Sequence, residues 1–438
     1  MDKTTLKKIA VDAIEARKDD LIAIGRDLYS MPEPGFREFK TSAYVGNVLG
    51  SLGLQVEKNI AMTGLKAIAK GKSHDVNVGI MGELDSLLMP RHPHADPSTG
   101  AAHACGHHAQ LTMMLGAAFG LAGSGIIKQL DGDITLLAVP AEEVIELSYR
   151  EELAKAGKIR FFGGKQEFIR LGIFDHIDAV LCSHITNSEG PYFNHSKSYN
   201  GVLHKSARFI GKSSHAALSP QLGINALHAA VSAINNINAL REKLDEKYHV
   251  RVHYIITKGG DSPNIIPDDV RMELGVRAST AEMMVEANKL VNRALIAGAE
   301  ALGAKVEIND QGAYLPLHQH RELGLVYAEN AKALAGPQNV HDLIAESRGS
   351  STDAGDLASV VPAIHPNFGG SCGPAHTNDF DICDEYLAYV QPAKAAAMTV
   401  IDLLYDGAAT CKRIRDDFVP LFKSKEKYCD FFAKFKER

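Results

Sequence analysis

The run Asp133-Ile-Thr-Leu-Leu-Ala-Val139, followed at once by Pro140-Ala141-Glu142-Glu143, decides the fold. Seven residues of mostly branched and long apolar side chains have the length and composition of a strand buried on both faces. Two adjacent glutamates are ordinary on a helix surface. At the tip of a buried strand they stand where α/β proteins place their chemistry, and one of them could bind metal while the other stays free as a base. The design recurs on either side. Val76 to Met81 is an apolar run that delivers Gly82-Glu83-Leu84-Asp85, and Ile177 to Cys182 is another that ends in Ser183-His184. Strands alternating with helical segments predict an α/β core with a mainly parallel sheet.

Between the first two of these strands lies His103-Ala104-Cys105-Gly106-His107-His108, one thiol and three imidazoles in six residues. It follows a Pro- and His-containing loop, Met89 to Gly100, and leads into the apolar Leu111 to Leu121, which reads as a buried helix. Cys105 and His107 suit two ligands on one ion or on two adjacent ions, since zinc and several first-row metals accept thiolate and imidazole. Taken alone, a Cys-x-His pair is more often a core cysteine beside a structural histidine; the rest of the chain reverses that.

Near Lys197 the character changes. Val202 to Ile210, Val250 to Thr257, Val270 to Arg277 and Lys305 to Ile308 read as strands, with helices over Ile224 to Leu240 and Ala281 to Leu302. That order, β-α-β-β-α-β, predicts a small ferredoxin-like α+β domain at 196–310, inserted into a larger domain formed by 1–195 and 311–438. Its edge strands and free faces are means of dimerising. Residues 3 to 30, Thr41 to Leu52, His320 to Leu334 and Tyr386 to Tyr405 read as helices of the larger domain. Beyond Cys411 a Lys-rich tail with Phe418, Phe422, Phe431, Phe432 and Phe435 interleaved is either an amphipathic helix packed on its own domain or a membrane-surface helix.

Composition narrows the field. With 438 residues, 45% hydrophobic and 23% charged, the chain is a two-domain globular protein rather than a disordered one. A net charge of -6 offers no basic field for nucleic acid. The start lacks a signal-peptide pattern, and no window is apolar enough for a membrane span. Six dispersed cysteines do not make a disulfide scaffold and fit a reducing cytoplasm, which would keep Cys105 free as a ligand.

The chain resembles the M20 metallopeptidases, and within them the M20D amidohydrolases: aminoacylase-like, auxin-conjugate and aminobenzoyl-glutamate hydrolases and small dipeptidases. The resemblance rests on Met31-Pro32-Glu33-Pro34-Gly35-Phe36, Gly82 to Asp85, His103 to His107, Pro140 to Glu143, Ser183-His184, Gly211 to Ala217, Asn264 to Asp268, Arg277, Ser351-Thr352-Asp353 and His376-Thr377. It implies two divalent ions per chain, Mn or Zn with Co or Ni as further options, bridged by Cys105 and completed by His107, Glu143, His184 and His376. Glu142 would be the general base for a metal-bridged hydroxide, with Asp85 acting behind the ligands. His215 would reach a neighbouring subunit's site and donate to the oxyanion, and Asn264 and Arg277 would hold the substrate's carboxylate end. A homodimer through the inserted domain, which would also serve as a lid, and a small amide substrate complete what the resemblance implies: a dipeptide, an N-acyl amino acid or an aryl-amide conjugate.

Two positions depart from the family pattern. His108 stands where Asp or Asn is usual and joins the substrate-binding candidates, and Met81-Gly82-Glu83-Leu84-Asp85 replaces Arg-Ala-Asp-Met-Asp. His108 and Glu83 keep open a deaminase-like attack on an aromatic or amidine C–N bond, and a non-catalytic binding protein on the same scaffold is the other alternative.

Overall fold

A computed structural model describes residues 1–187 and 192–436, apart from the side chains of 342–346, 348 and 436. The chain forms two compact units. One comprises Met1–Lys197, His318–Glu346 and Asp356–Lys425; the other comprises Ser198–Leu317, Ser347–Gly355 and the tail from Glu426.

The first unit is α/β. Its central sheet runs in the order Val56–Ile60, Gly64–Ala69, Asp133–Val139, Asn77–Glu83, Ala179–Cys182, Ala363–Ile364. The last four strands are mutually parallel, and an antiparallel hairpin closes one edge. Register places Glu83 beside Val139 and Met81 beside Cys182. Three parallel strands therefore end level with one another, and the residues that follow them share one edge of the sheet. The His107–Ala118 helix packs against this sheet with every residue buried, which its uninterrupted small and apolar sequence requires. A second sheet is built on Asn367–Cys372, with His184–Asn187 parallel to it and Asp381–Ile382 antiparallel.

The second unit is a four-stranded antiparallel sheet in the order Arg251–Lys258, Asp269–Ala278, Gly201–Ile210, Lys305–Tyr314. Helices Ala226–Leu240 and Ala281–Ala301 pack on each other and on the sheet. Asp269–Ala278 alternates buried and exposed residues along its length, as a sheet covered on one face must.

The expected boundary at 310 cuts through the last strand, which runs to Tyr314. Asn309 to Gly312 looks like a turn because it is polar. It continues as strand because Asp310 pairs with the buried Lys205 across a bulge in the ladder. The tail is also placed differently from the expected 311–438 grouping. Tyr428, Phe431 and Phe435 are buried, and Asn288 Nδ2 donates to the Phe435 carbonyl at 3.2 Å. From Glu426 the tail is thus packed helix on the smaller unit, while its earlier part, to Lys425, stays with the larger one. Not all the cysteines are free: Cys372 and Cys383 form a disulfide. No helix among the described residues is long and apolar enough to cross a membrane.

Candidate metal and catalytic site

The level strand ends of the first unit gather the chemistry. Gly106 begins the His107–Ala118 helix at φ 87°, and a Cβ there would lie 2.2 Å from Ile185 Cγ2. Only glycine fits both demands, and it lets Cys105 and His107 face the sheet edge together. Cys105 Sγ lies 3.4 Å from His184 Nε2 and 3.3 Å from His376 Nε2, and His376 Nε2 lies 3.2 Å from Glu143 Oε1. Three triads of potential ligand atoms result, Cys105–His107–His184, Cys105–Glu143–His376 and Glu83–His107–Glu142, each with its atoms within 4.8 Å of one another. The thiol is common to the first two, and His107 to the first and third.

The supports behind these groups are equally specific. His107 Nδ1 faces Asp85, 3.0 Å from its carbonyl and 3.2 Å from Oδ1, which leaves Nε2 for the cluster; ligand histidines are typically oriented this way. The other Asp85 oxygen accepts from the Glu143 amide at 2.9 Å. The turn that presents Glu142 and Glu143 has Ala141 at φ 55°. It is held by the Glu38 carboxyl, which accepts from the Ala141 amide at 2.8 Å, and by the buried Arg150, which donates to the Glu143 and Phe162 carbonyls. Burial, with Asp85 nearby, pushes the Glu38 carboxyl up to about 8. Glu38 and Arg150 carry no signal in sequence, since both sit among ordinary charged residues.

Glu83 is wholly buried. Its Oε1 pairs with Lys165 Nζ at 2.5 Å, while Oε2 accepts from Gln110 at 2.7 Å and lies 3.1 Å from His107 Nε2. Burial opposes its ionisation, but Lys165 and His107 outweigh burial and hold the carboxyl well below the usual range. Glu142 Oε2 stands 3.9 Å from His107 Nε2, and its side chain is 12% exposed. It touches the cluster without belonging to either triad that contains Cys105.

Electrostatics follow from this crowding. Burial and Glu143 would push the Cys105 thiol up; His107 and His184 bring it down to about 6. Burial likewise works against the Glu143 carboxylate, yet His376 and His107 lower it. His376, bonded to Cys105 and Glu143, is raised to about 11. These are dense negative donors drawing in positive charge, the donor chemistry of thiolate, imidazole and carboxylate that borderline divalent ions take.

Not every expected site residue joins the cluster. His108 is fully buried, its ring packed 4.8 Å from Tyr29, 5.0 Å from His103 and 5.9 Å from Tyr389. This packing lends no support to the expectation that it touches substrate, because its helix position turns the ring toward Tyr29, His103 and Tyr389. In the second unit, His215 bridges Ile265, and the Ala216 amide donates to the Asn264 carbonyl, so His215 and Asn264 share one exposed corner. His215 Nδ1 accepts from the Ala217 and Leu218 amides, which places the ring proton on Nε2. Arg277 is partly buried on the Asp269–Ala278 strand and donates to Ser351.

A thiol, three imidazoles and acids converging near the tips of parallel strands, in a chain that also carries a separate α+β unit, define a metal-dependent amidohydrolase or peptidase. The profile of peptidase family M20/M25/M40 matches residues 79–396, and the chain belongs to that family. It is 27% identical over 433 residues to the Xaa-Arg dipeptidase of Mus musculus, with 94% of this chain and 92% of that protein covered. It is 31% identical over 335 residues to the Homo sapiens Xaa-Arg dipeptidase, covering 74% of this chain and 71% of that one. Among solved structures it resembles the Bacillus subtilis YXEP protein, a dinuclear metal-binding peptidase of the M20 family, with a TM-score of 0.68 at 21% identity over 89% of this chain and 99% of that one.

Proposed function

We propose that the protein hydrolyses a small amide with a free carboxylate, a dipeptide first of all, at a centre of two divalent ions. The observation that carries this reading is the Cys105 thiol shared between two ligand triads. His107 and His184 would hold one ion, Glu143 and His376 the other, with Cys105 between them. Bound there, the ions supply Lewis acidity toward a carbonyl and acidify water. The donor set suits Zn, Mn, Co or Ni alike.

The protein's own groups do the rest. Glu142 lies 3.9 Å from His107 and outside both triads that contain Cys105, which supports it, rather than Glu143, as the acid that takes a proton from water and passes it to the leaving nitrogen. His215, with its proton on Nε2, is a donor for the developing oxyanion, contributed across a homodimer. Arg277 and Asn264 bind the substrate carboxylate. Exposed Ile255 and Ile256 on the Arg251–Lys258 edge strand support dimerisation through the smaller unit. Dipeptides with a basic C-terminal residue head the substrate candidates, as the names of the mammalian relatives suggest, and a cytoplasmic setting belongs to the same reading. The deaminase-like reading gains no support from His108, which packs among Tyr29, His103 and Tyr389 and lies in none of the ligand triads; assaying ammonia against amino acid release separates it from the first.

The test is a panel of dipeptides, N-acyl amino acids and aryl amides with the released product identified. Glu142→Ala should abolish turnover while two ions remain bound; loss of an ion instead would exchange the roles given to the two glutamates.

A further inference from the structure

We propose that the Cys372–Cys383 disulfide is a thiol-reducible clip that holds His376 in place, so that reduction weakens one ion of the pair and spares the other. This rests on the two-ion reading above. The two cysteines, with Cα atoms 5.8 Å apart, close the loop 373–382 at its base. The flanking strands, Asn367–Cys372 and Asp381–Ile382, contribute only two paired positions of their own, Ser371 with Ile382 and Cys372 with Asp381. The Cys383 and Asp384 amides both donate to the Gly370 carbonyl, at 2.8 and 3.0 Å, and the disulfide closes this base covalently.

Anchorage within the loop is uneven. On its C-terminal side Phe380 is buried, its carbonyl faces His92 Nε2 at 2.8 Å, and Tyr29 donates to Asp381 at 3.0 Å. On the N-terminal side Pro374, Ala375 and His376 are exposed. There His376 takes φ 63° and its amide donates to the Ala104 carbonyl at 2.8 Å. The disulfide is joined directly to this side, through Gly373.

His376 belongs to the Cys105–Glu143–His376 triad and not to Cys105–His107–His184. The latter is built from a buried helix start and from His184, which pairs with Asn367, the end of the Asn367–Cys372 strand remote from Cys372. Access is also selective: Cys383 is exposed and Cys372 partly so, whereas Cys105, Cys182, Cys411 and Cys429 are all buried. Exposed disulfides are the reducible class, and in a reducing compartment such a bond is typically a sensing one. A dithiol reductant attacks one sulfur to give a mixed disulfide, and its second thiol then displaces the protein. Two electrons and two protons pass to Cys372 and Cys383, which end as thiols, and the reductant ends as its own disulfide.

The experiment titrates the full chain with Mn2+ alone, following free ion by electron paramagnetic resonance, before and after treatment with a water-soluble phosphine. The phosphine leaves as its oxide and avoids the chelation that a dithiol would bring. The oxidised chain should take up two ions. The reduced chain should keep one unchanged and bind the second about tenfold more weakly, the scale for losing support behind a ligand. Hydrogen exchange at residues 373–377 should rise on reduction. The Cys372→Ser/Cys383→Ser double variant should match the reduced protein and ignore the phosphine, and His376→Ala should weaken the same ion with no further response to reduction. Equal affinity for both ions in both redox states overturns the clip, as does alkylation of Cys372 and Cys383 by iodoacetamide before any reductant is added. An oxidised chain that never takes up two ions overturns the two-ion reading and the clip with it, whereas two ions bound alike in both states overturn the clip alone.

Discussion

Replacing Lys165 by Met separates the cost of a buried charge from the chemistry it serves. Lys165 and Glu83 have side-chain exposures of 0% and 1%, so neither ion can fall back on water. Removing one partner of such a pair typically costs about 3–5 kcal/mol, because the other charge is stranded. Against a domain stability of about 5–15 kcal/mol that is about a fifth of the total or more. The dependence on pH has a defined sign. In the wild type Glu83 ionises below its ordinary value of 4.5, so its stabilisation is complete above 4.5 and is lost as pH falls through the folded value. In Lys165→Met burial is opposed only by the histidines, His107 first and then His184 and His365, and the folded value rises. Both unfolded chains titrate alike, so the stability gap depends only on the two folded values. It must narrow as pH drops from 7.5 through the raised value of the variant. Urea unfolding of metal-free protein measures this without a contribution from bound ions. Circular dichroism is the probe, since the chain has no Trp. The double variant Glu83→Gln/Lys165→Met should recover much of the loss. A single-variant cost below about 1 kcal/mol, the range of exposed ion pairs, a gap that widens on acidification, or a double variant no better than the single one would refute the reasoning.

Cys105→Ala should lose both ions after dialysis, whereas His184→Ala and His376→Ala should each lose one, because only the thiol is shared by Cys105–His107–His184 and Cys105–Glu143–His376; elemental analysis decides, and two ions retained by Cys105→Ala would end the bridging role. If His215 serves a neighbouring subunit, mixed dimers of Glu142→Ala and His215→Ala chains should regain activity, up to about a quarter of wild type by the statistics of one intact site in each mixed dimer forming half the population. Absence of rescue in demonstrably mixed dimers would confine His215 to its own subunit's site or remove it from catalysis.

The ligands and the supports differ in how far sequence exposes them, and the reason is chemical scarcity. Six cysteines and 19 histidines stand against 53 acidic and 47 basic residues. A Cys and a His two positions apart after a loop, or a His just past a buried strand, therefore stands out. An unremarkable Glu38, Arg150 or Lys165 does not, since nothing local distinguishes a buried charge from a solvated one. Their partners are also remote. Glu38 meets Ala141 across 103 positions, and Lys165 meets Glu83 across 82. The strand pattern was legible for a similar reason, because apolar runs with chemistry at their tips recur three times, while the strand end at Tyr314 and the exposure of His108 depended on partners that only folding supplies. The same contrast governs what can change. Removing a ligand alters which ions bind, but altering Glu38, Arg150 or Lys165 disturbs the backbone and charge that aim the ligands. A survey of variants chosen from sequence motifs alone would therefore find the metal site and miss the residues that keep Glu142 and Glu143 pointed at it.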